Sequence, residues 1–146
     1  MTDTLYLFAT VAGTAIAMPT HELEAVVRLR EIVSIARVAP HVRGLAALRS
    51  RVLTIIDVRT LVTGELTEMG QAPLAIVAEV EGHTYGLLID NVSDICAVED
   101  GLLPVRGRIG PAWEAYARGM VLFEERLHLV VSLPDFIRHQ ALAQAA

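Results

Sequence analysis

The chain holds one cysteine and no lysine among its 146 residues, and both shortages exclude something. A single thiol, Cys96, cannot build an internal disulfide framework and fits a reducing cytoplasm. Its neighbours Ile95, Ala97 and Val98 are apolar, so the sequence predicts a buried, inert thiol rather than a reactive one. All 12 basic residues are arginine. Arginine suits planar, bidentate contacts at interfaces, although a G+C-rich genome accounts for the bias equally well. The net charge of −5 argues against a nucleic-acid backbone as the main partner, because that role asks for a clustered positive face.

Catalytic and metal-binding signatures are also missing. His21, His41, His83, His128 and His139 are scattered, with no i,i+4 pair and no HExxH spacing, so no metal site is expected. His128, between Leu127 and Leu129, reads as a structural or surface residue. Ser34, Ser50, Ser93 and Ser132 lack the GxSxG frame of a nucleophile elbow. The stretch Gly107 to Gly110 has no following Lys-Ser/Thr and precedes a proline, so it reads as a turn rather than a phosphate cradle. Glu22 with Glu24, Asp90 with Asp94, and Glu124 with Glu125 fall in turns or on strand edges and read as solvated charges. The sequence therefore predicts no enzyme, no cofactor and no metal.

Apolar residues, by contrast, are in excess. They make up 53% of the chain, and counting glycine brings the share to about 60%, against a usual 45–50%. One domain of this length buries roughly 68–70% of its unfolded surface, so the surplus predicts exposed apolar patches suited to docking. The segment from Thr4 to Thr20 carries no charge, and its 17 residues reach the lower edge of a membrane-spanning length. It contains Gly13, Pro19 and four threonines, and Asp3 stands where a signal peptide wants Lys or Arg. A hairpin buried on both faces is the better reading, without direct membrane insertion.

Two echoes organise the chain. GLAALRSRVLTIIDVR from Gly44 and GMVLFEERLHLVVSLP from Gly119 share a glycine, an apolar run, a charged break and a second apolar run, at a constant offset of 75 positions. Upstream, Met18, Leu23 and Val26 follow Gly13 at the same spacings as Leu87, Val92 and Ile95 follow Gly82, at an offset of 69. One supersecondary unit used twice is an architectural signal. It predicts two lobes, at about residues 5–65 and 73–133, with six residues added in the second half near 106–113.

The local reading places strands at 5–11 and 14–18, a turn or two of helix in 20–27, and irregular strand over 26–38. A hairpin of 43–48 and 51–57 follows, then a short helix over 58–62 stopped by Gly64, and a linker at 63–73. The second half reads as a hairpin of 74–81 and 83–89, a strand at 92–98, a loop at 101–118 and a hairpin of 119–123 with 126–132. A C-terminal helix is expected over 134–146. Many short strands with glycine turns predict an all-β barrel or sandwich. Arg49-Ser50-Arg51 places two cations around the tip of a very apolar hairpin. Its plain reading is a charged turn, and its sharper one a docking element in which Arg49 hydrogen-bonds carbonyls or a carboxylate.

Residues 40–59, PHVRGLAALRSRVLTIIDVR, resemble the first signature of the CheW-like domain through Gly44, Leu48, Arg49, Asp57 and Arg59. Residues 85–96, YGLLIDNVSDIC, resemble its second signature through Gly86, Asp90, Val92 and Asp94. The early AMPTHELEAVV resembles a third element through Pro19, Leu23 and Val26. Together the resemblance covers residues 5–140. It implies two packed SH3-like five-stranded β-barrels with short helices and a C-terminal helix. It also implies a cytoplasmic, non-enzymatic adaptor that joins the cytoplasmic tip of a methyl-accepting chemoreceptor to a CheA-type histidine kinase. Carried over by motif, the receptor-contacting residues are Leu23, Val26, Gly44, Leu48 and Arg49. Three positions depart from the pattern. Ala25 stands in place of a glutamate, Ser50 in place of a turn glycine, and Thr54 in place of a proline. The changes at Ala25 and Ser50 suit the alternative of a divergent CheW-like module that competes with, or replaces, the ordinary coupler in another histidine-kinase pathway.

Overall fold

The computed structural model describes residues 4–98, 102–105, 107 and 109–138. The strands are β1 (Thr4–Val11), β2 (Thr14–Pro19), β3 (Ala25–Arg28), β4 (Val42–Leu48), β5 (Arg51–Asp57), β6 (Leu74–Val80), β7 (His83–Ile89), β8 (Asn91–Val98), β9 (Ala117–Phe123) and β10 (Arg126–Val131). Two short helices, α1 (Val58–Thr63) and α2 (Pro111–Glu114), accompany them. Residues 133–138 are helical as well, and the rest of the expected C-terminal helix lies outside the described residues.

The uncharged N-terminal segment folds as the β1–β2 hairpin, with both faces of β1 largely buried. Its turn, Ala12-Gly13, has φ of 52° and 78°. Glu81-Gly82 between β6 and β7 has 52° and 85°, and Glu124-Glu125 between β9 and β10 has 50° and 62°. Positive φ at both central residues matches the right-handed twist of the flanking strands. The β4–β5 turn differs, since only Arg49 is left-handed, at φ 58°. Ser50, which stands in place of a turn glycine, has no positive φ, and the left-handed position is Arg49.

The fold consists of two SH3-like five-stranded barrels. The first is ordered β8-β1-β2-β10-β9 and the second β3-β6-β7-β5-β4. The two barrels do not follow the expected division at 5–65 and 73–133, because each takes strands from both halves of the chain. The chain crosses from the first barrel to the second between β2 and β3, and returns between β7 and β8.

The echoes reappear as matching register. Leu7 pairs with Ile95, and their counterparts Ile76 and Val26 pair likewise. Thr54 lies beside Tyr85 in the parallel β5·β7 pair, as Leu129 lies beside Ile16 in the parallel β10·β2 pair. Even the irregularity repeats: the β4–β5 ladder steps over Arg43 and the β9–β10 ladder over Arg118. Gly44 and Gly119 stand beside these steps for one physical reason. A Cβ on Gly44 would collide with the carbonyl of Val33, and one on Gly119 would come within 2.6 Å of the Leu103 carbonyl. In both places a crossing segment bridges the next residue, Val33 to Leu45 and Leu103 to Met120.

Among the described residues, three apolar clusters hold the fold. Leu29, Ala46, Leu53, Ile55, Val77 and Leu88 fill the second barrel. Tyr6, Phe8, Ala17, Val98, Val121 and Val130 fill the first. The largest joins the barrels, with Leu7, Ile16 and Met18 of the first against Ile56, Ile76 and Leu87 of the second. Burial of this kind contributes about 25 cal/mol per Å² of apolar area, and here it links sheets that neither half could complete alone.

Several local expectations need correction. The helix expected in 20–27 is a single 3-10 turn, Thr20–Glu22, because β3 begins at Ala25 and pairs with β6. Irregular strand was expected to 38, but β3 ends at Arg28, and the chain then crosses over Gly44 through the Val33 bridge. Within the expected loop at 101–118, Pro111 opens α2, and Ala117 already belongs to β9. This is the region of the added residues. It brings Trp113 and Tyr116 onto Phe136, with Tyr116 stacked at 4.3 Å and Trp113 edge-on at 6.5 Å, over the core between the barrels.

Candidate protein-docking site

The five residues carried over by motif occupy different depths. Leu23 and Val26 are half-buried on the side of the second barrel that faces the core between barrels. Leu48 is half-buried against the interior of the second barrel. Gly44 is buried, and its role is to let the Val33 segment cross. Arg49 is exposed at the hairpin tip and, among the described residues, makes no hydrogen bond or ion pair.

One ion pair draws these pieces together. Arg51 Nη2 donates to Glu24 Oε2 at 2.7 Å, fastening the β4–β5 tip to the segment between Leu23 and Val26. The hydrogen bond from Arg51 holds the Glu24 carboxyl below its ordinary range, and the same bond raises Arg51. The carboxylate missing at Ala25 is thus supplied one residue earlier, and it engages Arg51 rather than Arg49. Arg49 is left projecting from a turn whose base is pinned.

At the far end of β5 from the tip lies a polar anchor whose role sequence reasoning missed. Asp57 ends β5 and its side chain is fully buried. Arg43 Nη1 donates to Oδ2 at 2.7 Å, the Thr67 N–H donates to Oδ2 at 2.8 Å, and Thr67 Oγ1 donates to Oδ1 at 2.6 Å. Burial pushes the Asp57 carboxyl upward, but hydrogen bonds from Thr67, Arg43 and Thr60 outweigh it and hold the group below the usual carboxylate range. Arg43 also donates to the Thr67 carbonyl at 2.9 Å. The stretch 63–73, read as a linker, is therefore stapled to the second barrel at Thr67. The available signal was the Asp57 match itself, a carboxylate at the end of an apolar strand.

Two of the acidic pairs read as solvated are engaged as well. Arg59, after β5, meets Asp90, after β7, at 3.2 Å, so one residue from each of the two matched signatures joins in an ion pair. Glu22 accepts from Ser132 Oγ at 3.2 Å and from the Leu133 N–H at 3.1 Å, tying the crossing between barrels to the start of the C-terminal helical segment. Arg118 reaches Asp135 at 3.1 Å in the same region.

His128 is buried inside the first barrel, edge-on to Phe8 at 4.9 Å, with Nδ1 3.1 Å from the Arg126 carbonyl oxygen. Its counterpart in the repeat, Leu53, fills the second barrel. Burial lowers the His128 pKa, so the neutral ring belongs there. Cys96 is half-buried against Tyr6 and the first-barrel core, and burial raises its thiol pKa. That disfavours the reactive thiolate. Among the described residues no group of three His, Cys, Asp or Glu could hold a metal ion. An open pocket of about 650 Å³ lies between Arg28, Arg59, Glu68 and Asp90, away from all five carried-over residues. No helix among the described residues is long and apolar enough to cross a membrane.

Residues 5–141 match the family model of the CheW-like domain. The chain is 34% identical over 94 residues to the chemotaxis protein CheW of Rhizobium meliloti (strain 1021), a stretch covering 64% of this chain and 61% of that protein. It is 32% identical over 91 residues to a probable chemotaxis protein CheW of Rhizobium etli, covering 62% of this chain and 59% of the relative. The matches thus span about three-fifths of the relatives' own length. In fold, the chain resembles the crystal structure of the scaffolding protein TtCheW from Thermoanaerobacter tengcongensis, with a TM-score of 0.77, 16% identity and 90% of each chain covered. The twin barrels, the joined signatures and the match across 5–141 lead to one conclusion: this chain belongs to the CheW-like domain family.

Proposed function

We propose that the chain is a non-enzymatic scaffold of chemotaxis signalling, an adaptor that couples the cytoplasmic tip of a methyl-accepting chemoreceptor to a CheA-type histidine kinase. The observation that carries this reading is family membership over residues 5–141, supported by the chemotaxis proteins among its relatives. Its docking element is the β4–β5 tip with the adjoining β3 segment. Arg49 supplies an unengaged guanidinium, and the accessible edges of Leu23, Val26 and Leu48 supply apolar contact. Gly44 acts through the backbone alone. A few such groups dominate the energy of an interface.

Affinity purification from the native cell, with quantification of recovered receptor and kinase, tests the reading. The adaptor should recover both. Arg49→Glu should lower receptor or kinase recovery several-fold while leaving the melting temperature nearly unchanged, because the side chain makes no hydrogen bond or ion pair among the described residues. Unfolding of that variant would make Arg49 structural and remove the docking argument's main residue.

A second reading rests on Ala25 and Ser50, where the chain departs from the family pattern, and on the diversion of Glu24 to Arg51. In it, the same fold serves as a divergent module in another histidine-kinase pathway. Recovery of a histidine kinase without any chemoreceptor in the same purification would favour that reading over the first.

A further inference from the structure

The pairings that turn hairpins into barrels all run between the two halves of the chain. Within a half lie the hairpins β1·β2, β4·β5, β6·β7 and β9·β10 and the single-residue bridges at Val33 and Leu103. Between the halves lie β1·β8, β2·β10, β3·β6 and β5·β7. Each half therefore presents edges that only strands of the other half complete. Nothing in these contacts requires the completing strands to come from the same chain.

The segment joining the halves is anchored at both ends, with Met69 between the anchors half-buried against the second-barrel core. Up to Thr67 it belongs with the first half, because Asp57 and Arg43 hold Thr67. Near β6 it is held again, by Arg28 Nη1 on the Ala72 carbonyl at 2.9 Å and by the Leu29 N–H on the Pro73 carbonyl at 2.9 Å. Residues 68–71 between these anchors include Gly70, and Glu68, Gly70 and Gln71 are exposed. Fully extended, four residues span at most roughly 14 Å, which sets the reach of the connection.

We propose that a second copy of this chain completes the barrels by strand exchange, with residues up to 67 of one copy pairing with residues from 72 onward of the other. The exchanged dimer reproduces the register of every pairing given above, so the local connection and the protein concentration decide between closed monomer and exchanged dimer. Partners are then chosen during folding, when both sets of edges are open. The proposal does not depend on the signalling role.

Paired cysteines read the exchange directly. Leu5 and Ala97 face each other across β1·β8, and both are exposed. Chains carrying Leu5→Cys and chains of a different mass carrying Ala97→Cys, each in a Cys96→Ser background, are unfolded, mixed, refolded at high concentration and oxidised. A mixed disulfide dimer with native far-ultraviolet dichroism is expected, growing with refolding concentration. It should be absent when Leu122→Cys, on β9 at the far edge of that barrel, replaces Ala97→Cys. As a second measurement, deletion of Gly70 and Gln71 should shift the folded protein from monomer toward dimer in light scattering. Efficient refolding to native monomers without the mixed disulfide at any concentration, with the shortened chain also monomeric, would overturn the proposal.

Discussion

At the residue scale, buried polar groups show most clearly how this fold departs from a purely apolar core. Asp57 has no solvent exposure, and its two oxygens are satisfied by Arg43 and Thr67. Removing one member of a buried pair leaves the other uncompensated, so Asp57→Asn should cost about 3 kcal/mol in urea unfolding. Its pH dependence follows from the depressed pKa. The unfolded chain protonates this carboxyl near 3.8, whereas the folded chain keeps it ionised to lower pH. The stabilisation is present above that value and is lost as pH falls through the folded pKa. His128 acts at higher pH. Burial lowers its folded pKa below 6.5, so the unfolded chain takes up the proton first, and stability declines as pH drops from 6.5 toward the folded value. His128→Leu, which copies Leu53 of the other barrel, should flatten that part of the stability profile. Melting temperatures measured between neutral and mildly acidic pH check both the sign and the window.

Among the elements, the two glycine echoes have different causes, and substitution separates them. Gly13 has φ 78° with open space around it, so Gly13→Ala should cost about 1 kcal/mol through backbone strain alone. Gly44 combines φ 141° with the Val33 carbonyl at the place its Cβ would occupy, so Gly44→Ala should cost about 3 kcal/mol or more. Equal losses at the two positions in denaturant titrations would contradict the close crossing at Gly44. Hairpins were legible in the sequence because turn chemistry and apolar runs are local signals, and the offsets of 75 and 69 survive down to individual strand pairs. What the sequence could not convey was partnership. The echo says that β1–β2 and β6–β7 are alike, but not that each hairpin completes the barrel of the other half. The β4–β5 turn was legible as a charged tip, Arg49-Ser50-Arg51. The exchange of roles between Arg49 and Arg51, and the burial of Asp57, depend on contacts 27 and 10 residues away along the chain.

The whole molecule is a pair of interleaved barrels sharing one core, in a chain that belongs to the CheW-like domain family. Its apolar surplus is accounted for only in part by that core. Val52, Leu122 and Leu127 remain 63%, 46% and 47% exposed on the hairpins β4–β5 and β9–β10, which fits a molecule that works by contact. The interleaving also means that a lesion in either half reaches both barrels, so the two should unfold in a single transition. Near-ultraviolet dichroism and calorimetry would give coincident midpoints. An adaptor of the kind proposed above, docking through its β4–β5 tip, must bind both signalling partners. Calorimetric titration of the purified protein into a receptor cytoplasmic-tip fragment and into the regulatory domain of a CheA-type kinase measures that binding. Saturable binding to both is expected, with Arg49→Glu weakening at least one by tenfold or more while retaining the native melting temperature. Absence of binding to either partner by the folded native protein, or unchanged affinities for both in the folded variant, would contradict that role.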